Sequence, residues 1–194
     1  DKGALHGCIM TGGADPRKAI QKARDYPGIE GVDLAKTVSV KKIQEWQAPT
    51  LDLANPNKKP PHFVHHVVVY DYGVKRQILR LLVDRGCRVT LVPAETPVST
   101  VLSLKPDGVL LSNGPGDPAA CDYSTDQINT LLNEGVPLFG ICLGFQLLAL
   151  ACGAKTTKMK FGHHGANHPV QDMQNKRVMI TSQNHSFAVD DEQL

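Results

Sequence analysis

GICLGFQ, residues 140–146, sets one cysteine between two glycines, after the apolar run VPLFG and before LLALA. G-x-C-x-G between a strand and a helix is the cysteine form of the nucleophile elbow. A strand that turns this sharply into a helix holds its nucleophile in a strained backbone conformation, and flanking glycines leave room for the chain to fold back. The turn thrusts the side chain out above a sheet. The helix behind it offers free N–H groups and the positive end of its dipole, a field that favours thiolate, the attacking species, over thiol. In this pattern Gly140 and Gly144 permit the turn, Cys142 attacks, and the Leu143 N–H receives an oxyanion. The competing reading is a buried structural cysteine where glycine is common anyway. A strand before the motif and a helix after it favour the elbow.

A second glycine-rich stretch, SNGPGDP at 112–118, also follows a strand. Alone it reads as a proline-glycine turn; beside an elbow on a neighbouring strand it reads as part of a site. The elements that must position both are legible from residue 63 onward. FVHHVVVYDYG is a strand, VKRQILRLLVDRG a helix, CRVTLVPA a strand, VSTVLSLKP a short helix and DGVLLSNGPG a third strand. STDQINTLLNEG is a helix, VPLFGI a fourth strand and LGFQLLALACG a helix. Strands alternating with helices through short glycine loops predict an α/β fold, a mostly parallel sheet flanked by helices. Ligands of such sheets bind at the carboxyl ends of the strands, where both motifs fall. Beyond Gly153, KTTKMKFGHHGANHPVQ is polar and glycine-rich, and RVMITSQNHSFAV predicts two short strands with a turn between them.

Residues 1–48 read as a small α-containing segment, the end of a preceding domain. Its helix starts at Asp15-Pro16, carries a short buried face of Ala19, Ile20 and Ala23, and stops at Pro27-Gly28. Residues 49–62, PTLDLANPNKKPPH, have a linker composition, and residues 63–194 form the main domain. The chain starts without Met, as an internal fragment would. A net charge of +2 without a basic run argues against nucleic acid, and no apolar run reaches the length of a membrane span. No signal peptide is visible. Five cysteines without a CxxC pair argue against a disulfide framework or cysteine zinc site and point to a reducing cytoplasm.

With these residues in hand, GICLGFQLLALACGAKT, SNGPGDPAACDY and QNHSFAV resemble the class I (triad) glutamine amidotransferase family. KMKFGHHGANHPV and YDYGVKRQILRLLVDRGCRVTLVPA narrow the resemblance to the small, glutaminase subunits of carbamoyl phosphate synthetases. The resemblance implies hydrolysis of L-glutamine through a cysteine thioester. It also implies ammonia transfer to a large synthetase subunit that uses ATP, magnesium and bicarbonate, with no cofactor or metal in the small subunit. It makes Cys142 the nucleophile and Gly114 and Gly116 substrate contacts, with the Gly114 N–H as second oxyanion donor. Leu143 and Gln146 would bind glutamine from the elbow, and Asn184, Ser186 and Phe187 its amino-acid end.

Three departures from the family pattern matter. Phe145 stands where such subunits have His, and a packing change is expected from it. Ser186 stands where they have Gly, which would cost strain if that residue uses φ > 0. The family's base is a His with a Glu two residues later, in a His-Pro-Glu stretch. The one His-Pro after Cys142 is His168-Pro169, followed by Val170. The triad His and Glu are therefore expected outside this chain, and the isolated fragment is expected to be inactive. His163, His164, His168 and His185 lack acidic or cysteine partners at metal-ligand spacing; His185 is expected to order its loop or meet the partner. Two other readings stay open: another triad amidotransferase subunit, and a non-catalytic glutamine-binding or docking subunit.

Overall fold

The run VVVY within 67–70 is apolar at consecutive positions, so a strand built from it must be covered on both faces. A computed structural model, which describes residues 5–55 and 59–190, places it at the centre of a parallel sheet. Residues 1–4, 56–58 and 191–194 lie outside the described residues. They belong to the expected first domain, the expected linker at 49–62 and the expected domain at 63–194, respectively.

The chain divides into two units. The smaller takes the residues up to Glu30, with helix α1 (Pro16–Asp25), and Thr157–Ala188. The larger runs from Gly31 to Thr156 and resumes at Val189. It begins with α2 (Ala35–Val38) and β1 (Gln44–Trp46). Then come β2 (His65–Asp71), α3 (Arg76–Asp84), β3 (Cys87–Pro93), α4 (Val98–Ser103) and β4 (Gly108–Leu111). A 3₁₀ turn (Pro118–Ala120), α5 (Asp122–Asn133), β5 (Leu138–Gly140) and α6 (Leu143–Ala151) complete it.

The sheet order is β1-β3-β2-β4-β5. All pairings are parallel except β1 with β3. Alternate residues of β2 feed opposite layers, as the strand period requires. Val68 and Tyr70 join Val101, Ile128, Leu131, Leu143 and Leu147 from α4, α5 and α6. Val69 joins Leu79 and Val83 of α3 with Val89 and Leu91. Full burial of each such side chain contributes roughly 1.5–3 kcal/mol. The register pairs Tyr70 with Leu111 and Leu111 with Gly140, so β2, β4 and β5 end in one row.

Two local expectations need correction. The α1 helix has its Asp15 cap, but no residue in it is buried: Ala19 and Ala23 are half-covered and Ile20 is exposed. Two alanines present too little apolar area to bury a face. The stretch 156–171, marked in the sequence only by its polar, glycine-rich composition, is a strand, β6 (Thr156–Gln171). The expected pair of short strands at 177–189 is one strand, β7 (Val178–Val189), paired with β6. Most of β6 is exposed, while β7 is partly covered from Thr181 onward, so β6 lacks the burial pattern that sequence reading relies on. Their turn is closed by Asp172, which accepts from Gln174 N–H (2.9 Å) and from the Asn175 amide (2.7 Å).

At the amino ends of the strands, His66 is buried between Arg88 and Thr90. Arginine only donates, so His66 Nδ1 accepts from it (2.8 Å) and Nε2–H donates to Thr90 Oγ1 (2.9 Å). Burial, then the Arg88 charge, lowers the His66 pKa below its ordinary 6.5. The folded state thus resists the proton that the unfolded chain accepts. The His66 contribution should be complete well above pH 6.5 and be lost as pH falls through that value toward the lower folded pKa. Thermal melts between pH 8 and pH 5 should show a flatter stability profile in His66→Gln than in wild type.

Candidate active site

The elbow is built by backbone. Beyond β5, the Ile141 N–H donates to Leu111 O (3.0 Å), so the chain still follows β4 one residue before the turn. Cys142 then takes φ 52°, ψ −108°, and α6 begins at Leu143. The Gly144 N–H divides its bond between Ser112 O and Ile141 O (both 3.0 Å), and the Gln146 N–H reaches Cys142 O (3.0 Å). The glycines are obligatory because of what lies against them. A Cβ on Gly140 would stand 2.6 Å from Gly144 C and O and from Phe145 N, and one on Gly144 would overlap the Leu111 carbonyl. A non-glycine residue at a left-handed φ costs on the order of 1–3 kcal/mol, held here by the bonds on either side.

Cys142 is partly buried. Burial pushes its thiol above the ordinary cysteine range, while the Leu143 N–H and the Lys75 charge pull it back. The helix-end field expected from sequence is thus present, but desolvation outweighs it. At neutral pH the sulfur keeps its proton unless a base removes it.

The loop after β4 lies beside the elbow. A Cβ on Gly114 would overlap Tyr72 O and stand 2.9 Å from Leu143 Cδ2. Gly116 has φ 102°. Ser112 anchors the start of the loop: its hydroxyl accepts from Tyr72 N–H (2.9 Å) and donates to Asn113 O (2.9 Å). Asn113 ties it to the loop after β2, donating to Gly73 O (3.0 Å) and accepting from Lys75 N–H (3.0 Å).

One unit therefore contains Cys142, Leu143, Gly114, Gly116 and Gln146, and within it the side chains of Leu143 and Gln146 are buried. Phe145, on the same first turn of α6, is about half exposed. Asn184, Ser186 and Phe187 lie on β7, in the hairpin of the smaller unit. There Asn184 Oδ1 meets His164 Nδ1 (2.8 Å), Ser186 Oγ meets His164 Nε2 (3.5 Å), and Phe187 O meets His185 Nδ1 (2.8 Å). His163 Nδ1 and His185 Nε2 are 3.2 Å apart beside a cavity of about 430 Å³. Ser186 is not among the residues with positive φ, so serine carries no left-handed strain there.

Sequence reading missed Lys75 and Asn113. A signal existed for the first: Lys75-Arg76 opens α3, placing two cations at the positive end of a helix dipole. The Lys75 charge favours the Cys142 thiolate.

Comparison with known proteins follows the same residues. The profile of the family described as glutamine amidotransferase class-I matches residues 68–194. A carbamoyl phosphate synthase small chain of Thioalkalivibrio sulfidiphilus is 57% identical over 195 residues, covering 100% of this chain and 52% of that protein. Its counterpart in Pseudomonas syringae pv. tomato is 59% identical over 198 residues, with the same 100% and 52% coverage. The chain thus spans about half the length of the curated relatives it matches. A crystal structure from Thermoplasma acidophilum, provisionally assigned to GMP synthase, superposes with a TM-score of 0.55. It is 23% identical, covers 68% of this chain and 69% of its own, and supports the fold.

Two substitutions test the geometry. Gly144→Ala should destabilise the protein by on the order of 3 kcal/mol or more, read by denaturant melts, because a backbone carbonyl occupies the Cβ position. Lys75→Met should move the pH profile of Cys142 alkylation by iodoacetamide to higher pH, since it removes one of the two groups that favour thiolate.

Proposed function

The chain belongs to the class-I glutamine amidotransferase family, and we propose that it is the nucleophilic part of the glutaminase site of a carbamoyl phosphate synthase small chain. The observation that carries this reading is the left-handed Cys142 at the head of α6, with Gly114 packed against Leu143. The high identity to small chains over the whole of this chain supports the choice of synthase.

In this reading the Cys142 thiolate attacks the side-chain carbonyl carbon of glutamine. The Leu143 N–H, which already addresses the sulfur, and the Gly114 N–H receive the oxyanion. The C–N bond breaks as the leaving nitrogen takes a proton, giving ammonia and a glutamyl thioester. Water then cleaves the thioester to glutamate and returns the thiol. Gly116 and Gln146 line the glutamine beside the elbow. Because burial holds the Cys142 proton, the cycle needs a base. We assign the triad His and Glu to no residue of this chain.

The ammonia passes to a large synthetase subunit that activates bicarbonate with ATP and magnesium; this chain supplies no cofactor. Five free thiols suit a reducing cytoplasm. Among the described residues no helix is long and apolar enough to cross a membrane.

The test uses the intact protein with its synthetase partner. Cys142→Ser should lower glutamine-dependent ammonia release by about 10³-fold or more, leaving ammonia-dependent synthesis in place. A diazoketone analogue of glutamine should label wild type once, on Cys142. Unchanged hydrolysis in Cys142→Ser would sink the reading of Cys142 as nucleophile, and no hydrolysis by wild type would favour a docking or glutamine-sensing role.

A further inference from the structure

The turn Gly114-Pro115-Gly116 cannot hold itself in place. Its glycines have no side chains to anchor and its proline has no N–H to donate. Its position depends on what grips its two ends. Asn113 grips one, through Gly73 and Lys75. Asp117 grips the other, and it reaches the segment Gly31–Val40.

That segment crosses the ends of three strands. At the end of β2, Asp71 Oδ2 accepts from Val40 N–H (2.8 Å). Beyond β3, the Ala94 N–H donates to Ser39 Oγ (3.0 Å). Beyond β4, the Asp117 N–H donates to Val32 O (3.1 Å), and Asp117 Oδ2 accepts from Gly31 N–H (2.8 Å). Asp117 Oδ1 accepts from Ala119 N–H (2.9 Å), capping the 3₁₀ turn. The carboxylate is buried, with each oxygen committed to a different N–H. The approach is close: a Cβ on Gly116 would stand 2.8 Å from Val32 O and 2.9 Å from Leu34 N. A Cβ on Gly73 would meet Val38 Cγ2 at 2.9 Å and Pro115 Cδ at 3.0 Å. Ala35, within the segment, is fully buried in the same core as Leu143.

We propose that Gly31–Val40 is a strap that sets the Gly114 N–H against the elbow, and that Asp117 is the positioning residue that fastens it. The proposal rests on reading Gly114 as an oxyanion donor. Asparagine cannot replace the aspartate, because it has one acceptor oxygen and its amide would face an N–H.

The test compares wild type with Asp117→Asn and Gly116→Ala in the intact protein. The second variant keeps the carboxylate but pushes Val32 and Leu34 away. Amide exchange in residues 113–117 should speed up about tenfold or more while β2 and β4 keep their protection. Glutamine turnover should fall in kcat by on the order of 10- to 100-fold, more than KM rises, because the lost alignment acts in the transition state. The rate of Cys142 alkylation should stay at the wild-type value, since the elbow is intact. Wild-type loop exchange and kcat in both variants would overturn the proposal. So would loss of strand protection and alkylation in step with kcat, which would make Asp117 a purely structural residue. If wild type itself released no ammonia, the glutaminase reading would fall, and loop exchange alone would decide the strap.

Discussion

The bond from Gly144 N–H to Ser112 O is the constraint on which the rest of the site depends. It pulls the first turn of α6 against the end of β4, so closely that Gly144 has no room for a Cβ. The helix must then start within one residue of the strand end, and Cys142 is left to absorb the turn at a positive φ. Leu143 enters the core beneath and its N–H faces the sulfur above. Packing, backbone strain and nucleophile placement are therefore consequences of one contact between β4 and α6.

The same closeness has an electrostatic cost. Bringing the sulfur into partial burial disfavours its charge, and one N–H plus one lysine do not fully offset that. A thiol held in the protonated form is protected from oxidation and stray alkylation while the substrate is absent. In the proposed cycle it acts only when a base is aligned with it. The site is thus geometrically ready and chemically restrained.

Much of this was legible in the sequence. The alternation of apolar runs with glycine stops encodes the parallel sheet, because buried strands and capped helices leave local marks. The elbow was legible for the same reason: Gly140 and Gly144 answer to steric limits within a few residues of the cysteine. What escaped depends on distant partners. QEW is too short to announce β1, whose place is decided by backbone pairing to β3. The long strand β6 of the hairpin carries no burial alternation. Helix-end activation of Cys142 could be foreseen, whereas the desolvation that reverses its net effect needs the packed structure. Lys75 acts across space, as does Asp117, whose bond to Gly31 joins residues 86 apart in sequence.

The central claim is that Cys142 becomes acylated by glutamine. Rapid acid quenching of the intact protein during turnover, followed by mass spectrometry of its peptides, tests this directly. The account predicts a glutamyl thioester on the peptide that carries Cys142. Ammonia release with no adduct on that peptide, or with the adduct on another cysteine, would contradict it.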